Sequence, residues 1–508
     1  MDNSDIDVIK KKVEARRQKI QKEFPGDKEI VEFSGNKILQ MLDCGEDGDA
    51  WLFIALHRGR FCYDPYDSCW FEFYKNYWRE DCVDQVVASI EDVIEEYGKE
   101  INRQHWLKLK AEKNGDTSTA DKHKTREGLL LKRIRALHNF FRKKNVLRLA
   151  RSGQDSLCIT GTEWDSDPWL LGCPNGIFDL KNEIFRSGRP EDFLKTVTTT
   201  KWKGYDAPRP MFDQFILDIS NGDVDLVNYL QRLFGYSILG KVTLHIFIIF
   251  YGQGRNGKGT LLEILKYILG SLAYKTNFDF LLENKFKSEG PTPEIIALRG
   301  KRLVWASETS EGRALNISKL KEVVGGDTLN ARAPYAKRQI EFQPSHTLFL
   351  LTNHRPHADS SDYALWKRMH LVPFTKSFVS DPIQAHEHKE DPELFDKLKK
   401  EDAGILAWLI EGNRKFKQSG LQIPKTVKEA TKMYKQDEDL VGQFIKDRCV
   451  MEPYVEIKAG DLYKAYEIWC DETASFLLSK KKFGMAMKSR FDFYNKRWVF
   501  YVGITLIK

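Results

Sequence analysis

The sequence predicts a multidomain α/β protein whose central domain contains a mostly parallel sheet. Its 508 residues exceed what one hydrophobic core supports, so roughly three or four domains are expected. An apolar strand, a glycine-rich loop and a helical pattern follow one another over residues 245–269. From there to about residue 374, strand-like and helix-like segments alternate, which is typical of parallel α/β domains.

Composition and periodicity divide the chain into five predicted segments. They are a charged helical N-terminus at 1–30, a basic region at 31–215 that is β-rich and then helical, the central α/β domain at 216–380, a helical connection at 381–425, and a small α/β unit at 426–508. These five segments are the predicted domain organisation.

Within the second segment, aromatic runs predict strands and a longer stretch predicts helices. The runs that begin at Trp51, Phe61 and Cys69 are short and are punctuated by turn signals, which favours strands. From residue 86 to 151 the apolar residues recur at helical spacing. A polar stretch at 113–121 interrupts that spacing and predicts a loop.

Charge is mildly basic overall and concentrated in one place. The formal charge of +7 and a pI of about 8.7 permit a nucleic-acid partner without requiring one. Between residues 103 and 151 there are fifteen Lys/Arg against four Asp/Glu. This segment therefore predicts a binding surface, with a solvated helical face as the alternative.

Cysteine spacing and the apolar runs indicate a soluble intracellular protein. None of the eight cysteines has C-x-x-C spacing, so a zinc ribbon is not expected. The N-terminus has neither the basic nor the apolar part of an export signal. The longest apolar run, at 246–251, is far too short to span a bilayer, so no membrane partner is expected.

The strongest local signal is the glycine-rich loop at 252–260, between an apolar strand and a helix. Its glycines let successive backbone N–H groups surround a phosphate, and Lys258 is expected to reach the β- and γ-phosphates. Gly259 replaces the usual hydroxyl residue after the lysine, so Thr260 is the expected Mg²⁺ ligand. The alternative is a glycine-rich turn without nucleotide. The predicted ATP-binding residues are Gly252, Gly254, Asn256, Gly257, Lys258, Gly259 and Thr260.

Three later residues complete a candidate catalytic set with Lys258. Glu308 ends a strand-like run and is expected to polarise the attacking water and share Mg²⁺, with Glu311 as a possible helper. Asn353 ends another strand and is expected to sense the γ-phosphate. Arg368 is a candidate arginine finger for a neighbouring subunit's nucleotide. The alternatives are a surface glutamate, a turn-forming asparagine and a solvated basic pair, respectively.

The order and spacing of these elements resemble the superfamily 3 helicases, in the branch of phage, plasmid and poxvirus replication proteins related to the poxvirus primase–helicase. Residues 320–332, which contain a Gly-Gly-Asp segment, look like the additional B-prime motif of that superfamily, and Glu294 also fits the branch. The stretches 169–180 and 462–470 are similar to the domains that precede and follow its ATPase.

The resemblance implies an AAA+-like ATPase domain, a preceding helicase-associated domain and a small winged-helix-like domain at the C-terminus. It implies a homo-hexameric helicase that uses ATP and Mg²⁺ and draws single-stranded DNA in the 3′ to 5′ direction, opening forked DNA in phage, prophage or plasmid replication. Tyr335, Lys337 and Arg338 fall where the family places a hairpin that grips DNA in the central channel. An exposed basic turn is the alternative for these three.

Many members of the branch also carry an N-terminal primase domain, for which too little chain precedes the helicase-like region. A separate primase or loader is therefore a possible partner, and the cytoplasm of a bacterial host is the expected location. Two other classes of function stay open. One is a nucleotide-gated DNA-binding or assembly module that does not unwind DNA, and the other is a P-loop phosphotransferase, suggested by the Gly-Lys-Gly-Thr ending of the loop.

Overall fold

The computed structural model describes residues 33–282, 292–307, 314–332, 334, 339–473 and 475–507. The segment predicted as a charged helical N-terminus, 1–30, lies outside the described residues. By its internal contacts the chain forms two compact units. The first contains the residues up to Asp167, Gly172–Phe178 and Phe185–Val197, and the second contains Pro168–Leu171, Asp179–Ile184 and the residues from Thr198 onwards.

The first unit combines helices with a three-stranded antiparallel sheet. The helices are Gly35–Asp43, Gly45–His57, Gln85–Ala88, Ile90–Lys113, Thr117–Leu137 and Phe140–Ala150. The strands are Phe61–Asp64, Cys69–Tyr74 and Tyr77–Glu80, in that order across the sheet. The prediction of a strand at Trp51 is wrong, because this residue lies in a helix that buries the adjacent Leu52 and Phe53. A short apolar run does not distinguish a strand from a buried helix.

The basic segment 103–151 is almost entirely helical. Two of its helices, Ile90–Lys113 and Thr117–Leu137, pack side by side, with His123 Nδ1 2.6 Å from Gln104 Oε1. The loop predicted at 113–121 is confined to residues 114–116. It is shorter because the Asp116 carboxylate accepts a hydrogen bond of 3.0 Å from the Thr119 N–H, which caps the second helix.

A fully buried carboxylate anchors these basic helices within the first unit. Asp49 accepts hydrogen bonds from the Tyr97 hydroxyl at 2.8 Å, from Arg133 Nη1 at 2.6 Å and from Arg142 Nη2 at 2.6 Å. A buried charge is tolerated where it is paired and hydrogen-bonded in this way. Two of the arginines that make the segment basic therefore have a structural role.

The second unit is built around a five-stranded sheet in which every neighbouring pair is parallel. Across the sheet the strands are Met369–Pro373, Phe247–Tyr251, Thr347–Thr352, Leu303–Ser307 and Ala273–Thr276. Ile248 and Ile249 point to opposite faces and neither is exposed, so both faces of the sheet are covered. The predicted α/β class with a mostly parallel sheet is confirmed, and the AAA+-like assignment stays a prediction.

Further helices and short strands lie before, between and after these strands in the sequence. The helices up to residue 437 are Pro210–Ile219, Val224–Ser237, Lys258–Leu269, Pro293–Ile296, Ile317–Val324, Tyr363–Arg368, Leu394–Lys399, Asp402–Ser419 and Lys425–Asp437. Short 3-10 helices cover Pro190–Asp192, Gly270–Leu272 and Phe278–Leu281. A small sheet contains Leu170–Cys173, Gly176–Asp179 and Ile184–Arg186, and two strand pairs are Leu329–Ala331 with Ile340–Phe342 and Ser377–Val379 with Glu387–Lys389.

The helix Lys425–Asp437 packs on the central sheet, although the sequence grouped it with the C-terminal segment. The Leu371 N–H, in the edge strand, donates a hydrogen bond of 2.9 Å to Thr431 Oγ1. Tyr434 is fully buried in the same hydrophobic core as the sheet. The predicted domain boundaries otherwise stay a prediction.

The residues from 440 onwards have a small hydrophobic core of their own. The helices are Leu440–Arg448, Ala459–Thr473 and Lys480–Lys488. The strands Glu456–Lys458, Val499–Val502 and Phe493–Asn495 form one antiparallel sheet in that order, and Cys449–Val450 pairs with Thr505–Leu506. We call this part the C-terminal domain.

Candidate nucleotide-binding site

The loop at 252–260 begins where a central strand of the parallel sheet ends. The strand Phe247–Tyr251 lies between the edge strand Met369–Pro373 and the strand Thr347–Thr352. Ligands of open α/β sheets bind outside the carboxyl ends of such strands. The loop leads into the helix Lys258–Leu269, whose N-terminus carries free N–H groups and the positive end of the helix dipole.

The backbone of the loop adopts conformations that require glycine. Gly254 and Gly257 have φ angles of 96° and 81°, in the left-handed region. A Cβ atom on Gly257 would lie 2.5 Å from Ile219 Cγ2, and one on Gly252 would lie 2.4 Å from the Phe374 carbonyl oxygen. By contrast, a Cβ atom on Gly259 would meet no heavy atom within 4 Å. The loop is therefore closely packed at Gly252 and Gly257 and open at Gly259.

Lys258 connects the loop to the next strand of the sheet. Its Nζ donates a hydrogen bond of 2.7 Å to the Gly252 carbonyl oxygen and one of 3.4 Å to Asn353 Oδ1. Only 5% of the residue is exposed, and burial lowers the pKa of its ammonium group to about 8. A buried cation held by neutral oxygens is poised to bind an anion. Lys258 and Asn353, which were predicted for the same site although they are far apart in the sequence, are therefore in contact.

Two further polar groups of the loop are available to a ligand. Asn256 Nδ2 is buried and has no hydrogen-bond partner among the described residues. Such a group normally finds a partner, so a phosphate oxygen bound by the loop would satisfy it. Thr260 lies in the first turn of the helix and is half-buried, a placement compatible with holding a metal ion next to a phosphate. The groups present thus fit Mg²⁺ and a nucleoside triphosphate.

The acidic residues predicted for this site follow a described strand of the sheet. Glu308 and Glu311 lie outside the described residues, but the strand Leu303–Ser307 that leads to them is described. Ser307 pairs with Leu351 in the parallel register, so this strand ends at the same edge of the sheet as the strand before Asn353.

The loop after Asn353 is fixed by contacts that the sequence did not predict. Arg355 Nη1 donates to Asp437 Oδ2 at 2.7 Å, and the Tyr434 hydroxyl donates to the carbonyl oxygen of Pro356. The Ala358 N–H donates to a carboxylate oxygen of Glu438 at 3.0 Å. These partners lie about eighty residues further along the chain, and no spacing rule connects them with the Asn353 motif.

Arg368 is far from the glycine-rich loop at 252–260. It directly precedes the edge strand, in which Met369 pairs with Phe247 and Pro373 pairs with Tyr251. Six residue steps along a strand separate its position from Gly252, a distance of about 20 Å that exceeds the reach of an arginine. Arg368 Nε is buried without a hydrogen-bond partner among the described residues, although Nη1 donates to the Ala364 carbonyl oxygen at 3.2 Å.

The predicted DNA-gripping hairpin has two described arms. Leu329–Ala331 and Ile340–Phe342 pair in antiparallel register, with Leu329 opposite Phe342. Tyr335, Lys337 and Arg338 belong to the connection between the arms and lie outside the described residues. Their DNA contacts stay a prediction.

Two family models match the chain. Residues 50–221 match "D5 N terminal like", and residues 250–368, which include the glycine-rich loop at 252–260, match a family of unknown function (DUF5906). The second match ends at Arg368 and includes the whole region between the loop and that residue.

Curated viral proteins match across both regions. A protein of Acanthamoeba polyphaga mimivirus, provisionally named helicase L207/L206, is 28% identical over 80% of this chain and 44% of its own length. A protein of Invertebrate iridescent virus 6, provisionally named helicase 184R, is 26% identical over 63% of this chain and 36% of its own. The African swine fever virus protein provisionally named primase C962R is 27% identical over 60% and 33%. The chain therefore spans less than half the length of these relatives.

The D5-like region and these relatives relate the chain to viral proteins that are named as helicases and primases. Among solved structures, the apo structure of the NrS-1 C terminal region (305-718) aligns with 90% of this chain and 99% of its own, with 12% identity and a TM-score of 0.47. Among the residues that the structure describes, no helix combines the length and the apolar character needed to cross a membrane.

Proposed function

We propose that this protein is an ATP-dependent DNA helicase of the superfamily 3 type, acting in the replication of a phage, a plasmid or a virus. The observation that carries the proposal is the contact of Lys258 with the Gly252 carbonyl and the Asn353 side chain, at the carboxyl edge of a parallel sheet. It joins a phosphate-binding loop to a polar residue on the neighbouring strand, which is the arrangement that nucleotide hydrolysis needs. The names of the viral relatives support the same class of enzyme.

The residues have distinct roles in this proposal. Lys258 neutralises the charge of the β- and γ-phosphates, and its present contacts with neutral oxygens are exchanged for phosphate oxygens. Asn353, released from Lys258, orients the attacking water or senses the γ-phosphate. Thr260 and Glu308 would hold Mg²⁺, which supplies charge neutralisation when it is bound. Glu308 also accepts the proton of the attacking water.

The distance of Arg368 from its own loop supports a subunit-bridging role. Because this arginine is about 20 Å from Gly252 along the strands, it can stabilise phosphoryl charge only in another copy of the chain. A head-to-tail arrangement of this kind closes into a ring when the rotation permits. We infer a homo-hexamer in which Arg368 completes the neighbour's site and Tyr335, Lys337 and Arg338 hold a single strand drawn 3′ to 5′.

The proposal is tested by ATP hydrolysis with and without single-stranded DNA, and by unwinding of a forked duplex. We expect DNA to stimulate hydrolysis, the fork to open, and both activities to fall at least about a hundredfold in Lys258→Ala and in Arg368→Ala. Lys367→Ala is the matched control, because this exposed lysine adjoins Arg368 and carries the same charge. Equal losses of activity in Lys367→Ala and Arg368→Ala would contradict the assignment of Arg368 as an arginine finger.

The same assays separate the alternative functions. Binding of ATP and DNA without hydrolysis or unwinding, in a ring, would replace the motor with a nucleotide-gated DNA-binding module. Transfer of the γ-phosphate to a small acceptor, without an effect of DNA, would indicate a P-loop phosphotransferase. The contact between Lys258 and Asn353 favours the hydrolase, because it places a water-orienting amide next to the phosphate loop.

A further inference from the structure

The contact between Asn353 and Lys258 is too long to fix the position of the Asn353 amide by itself. Asn353 Oδ1 lies 3.4 Å from Lys258 Nζ, and the asparagine is exposed. A typical N–H···O hydrogen bond is shorter, about 2.9 Å. The strand Thr347–Thr352 ends one residue earlier, so Asn353 belongs to the loop that follows this strand. The position of the amide therefore depends on the contacts that hold this loop.

The Arg355 guanidinium joins the loop after Asn353 to two other elements. Its Nη1 donates a hydrogen bond of 2.7 Å to Asp437 Oδ2, on the last residue of the helix Lys425–Asp437. Its Cζ lies 5.5 Å from the centre of the Tyr251 ring and 5.3 Å from the centre of the Tyr434 ring. Tyr251 ends the strand that leads into the glycine-rich loop. A planar guanidinium is suited to both kinds of contact, because it binds carboxylates and stacks on aromatic rings.

Two acidic residues at the end of that helix stand where the helix dipole disfavours negative charge. Asp437 is the last residue of the helix and Glu438 is its C-cap. Cations are favoured at this end of a helix and carboxylates are disfavoured. Both carboxylates bind the loop after Asn353, because Asp437 accepts from Arg355 and Glu438 Oε2 accepts from the Ala358 N–H at 3.0 Å. The contacts with the loop therefore account for acidic residues that the helix itself does not favour.

The ion pair between Arg355 and Asp437 contributes little to the stability of the fold. The Arg355 side chain is 31% exposed and that of Asp437 is 52% exposed. Ion pairs with this exposure are screened by solvent and add little to the free energy of unfolding. The helix is held on the sheet without them, because Tyr434 is fully buried in the core. The effect of the pair is therefore expected in the position of the loop and not in folding.

We propose that Arg355 and Asp437 are positioning residues of the nucleotide site, which hold the Asn353 amide in place beside Lys258. Neither residue touches the nucleotide. When ATP is bound, the pair keeps Asn353 at a fixed distance from the γ-phosphate, so that the attacking water is aligned in each turnover. This role rests on the proposed ATP hydrolysis and adds two residues to the site that no sequence motif connects with Asn353.

The test exchanges the two charges in the full-length chain. Arg355→Asp and Asp437→Arg should each lower kcat of DNA-stimulated ATP hydrolysis about tenfold and leave KM for ATP within about twofold of the wild type, because only the transition state needs the aligned water. The double variant Arg355→Asp/Asp437→Arg remakes the ion pair in the opposite sense and should restore kcat to within about threefold of the wild type. The unfolding midpoint in urea should be unchanged in all three variants.

A matched control and a second readout complete the design. Lys397 and Asp391 form an ion pair of the same 2.7 Å length, with side chains that are 38% and 36% exposed. Lys397→Asp and Asp391→Lys should leave kcat unchanged. The second readout needs no hydrolysis. In the nucleotide-free protein, amide hydrogen exchange of the peptide that covers residues 353–358 should be faster in each Arg355 or Asp437 single variant and return to the wild-type rate in the double variant.

Three results would decide against one claim or the other. A double variant as inactive as Arg355→Asp would overturn the positioning role, because it would show that the guanidinium is needed at position 355 itself, in contact with phosphate. An unchanged kcat or an unchanged exchange rate in the single variants would also overturn it. If the wild type does not hydrolyse ATP although the exchange rates follow the expected pattern, the proposed function is wrong and the pair still positions Asn353.

Discussion

Lys258 is expected to reduce the stability of the protein in the absence of nucleotide. Burial lowers the pKa of its ammonium group from 10.5 to about 8, so folding at pH 7 confines a charge that water would solvate better. At about 1.4 kcal/mol per pH unit, a pKa difference of this size lowers the free energy of unfolding by about 3 kcal/mol at pH 7. Replacing Lys258 by methionine removes this cost, but it also removes the hydrogen bond to the Gly252 carbonyl, which contributes about 1 kcal/mol. Lys258→Met should therefore raise the free energy of unfolding by about 1–2 kcal/mol at pH 7.

The stability difference between the wild type and Lys258→Met is expected to depend on pH. Because the folded pKa is lowered, the folded wild type binds fewer protons than the unfolded chain between about pH 8 and pH 10.5, and its stability rises with pH across that window. The advantage of Lys258→Met should accordingly shrink by about 2 kcal/mol when the pH is raised from about 7 to 9.5.

The assay is chemical unfolding of both proteins at pH 7 and pH 9.5 without nucleotide, with Lys367→Met as the control for removal of an exposed lysine. MgATP should then stabilise the wild type and leave Lys258→Met unchanged, because the variant cannot bind the phosphates. A Lys258→Met variant that is less stable than the wild type at pH 7, or a stability difference that is the same at both pH values, would contradict a destabilising buried charge at Lys258.

Three other changes have expected outcomes. Asp49→Asn should lower the free energy of unfolding of the first unit by about 3 kcal/mol, measured in urea, because two arginines lose their buried counter-charge. Gly257→Ala should weaken nucleotide binding at least about tenfold in a titration, because its φ is 81°, while Gly259→Ala binds normally in its open space. Tyr434→Phe should lower kcat several-fold with little change in KM, because it loosens the loop that carries Asn353, and an unchanged kcat would exclude that coupling.

Much of the central domain followed from local sequence signals. The strand before the phosphate loop and the alternation after it were predicted because buried parallel strands are continuously apolar and a glycine-rich loop has few other uses. The contact of Lys258 with Asn353 was also foreseeable, because both follow strands whose carboxyl ends meet at one edge of the sheet.

Other features depend on contacts that a local pattern does not contain. The short apolar run that begins at Trp51 predicts a strand. Trp51 nevertheless belongs to a helix, because burial of Leu52 and Phe53 decides the conformation. Tyr434 anchors the Asn353 loop from about eighty residues away, and only the packing of its helix on the edge strand brings it there. Likewise, the buried Asp49 removes part of the positive charge that the sequence assigned to a binding surface.

The most direct measurement mixes two inactive variants. Consider rings that contain equal amounts of Lys258→Ala and Arg368→Ala chains. About a quarter of their subunit interfaces should combine an intact loop, from an Arg368→Ala chain, with an intact arginine, from a Lys258→Ala chain. We predict that DNA-stimulated ATP hydrolysis, absent in each variant alone, returns to roughly that fraction of the wild-type rate on mixing. A mixture as inactive as its components, although it forms mixed rings, would contradict the account that Arg368 completes the nucleotide site of a neighbouring subunit.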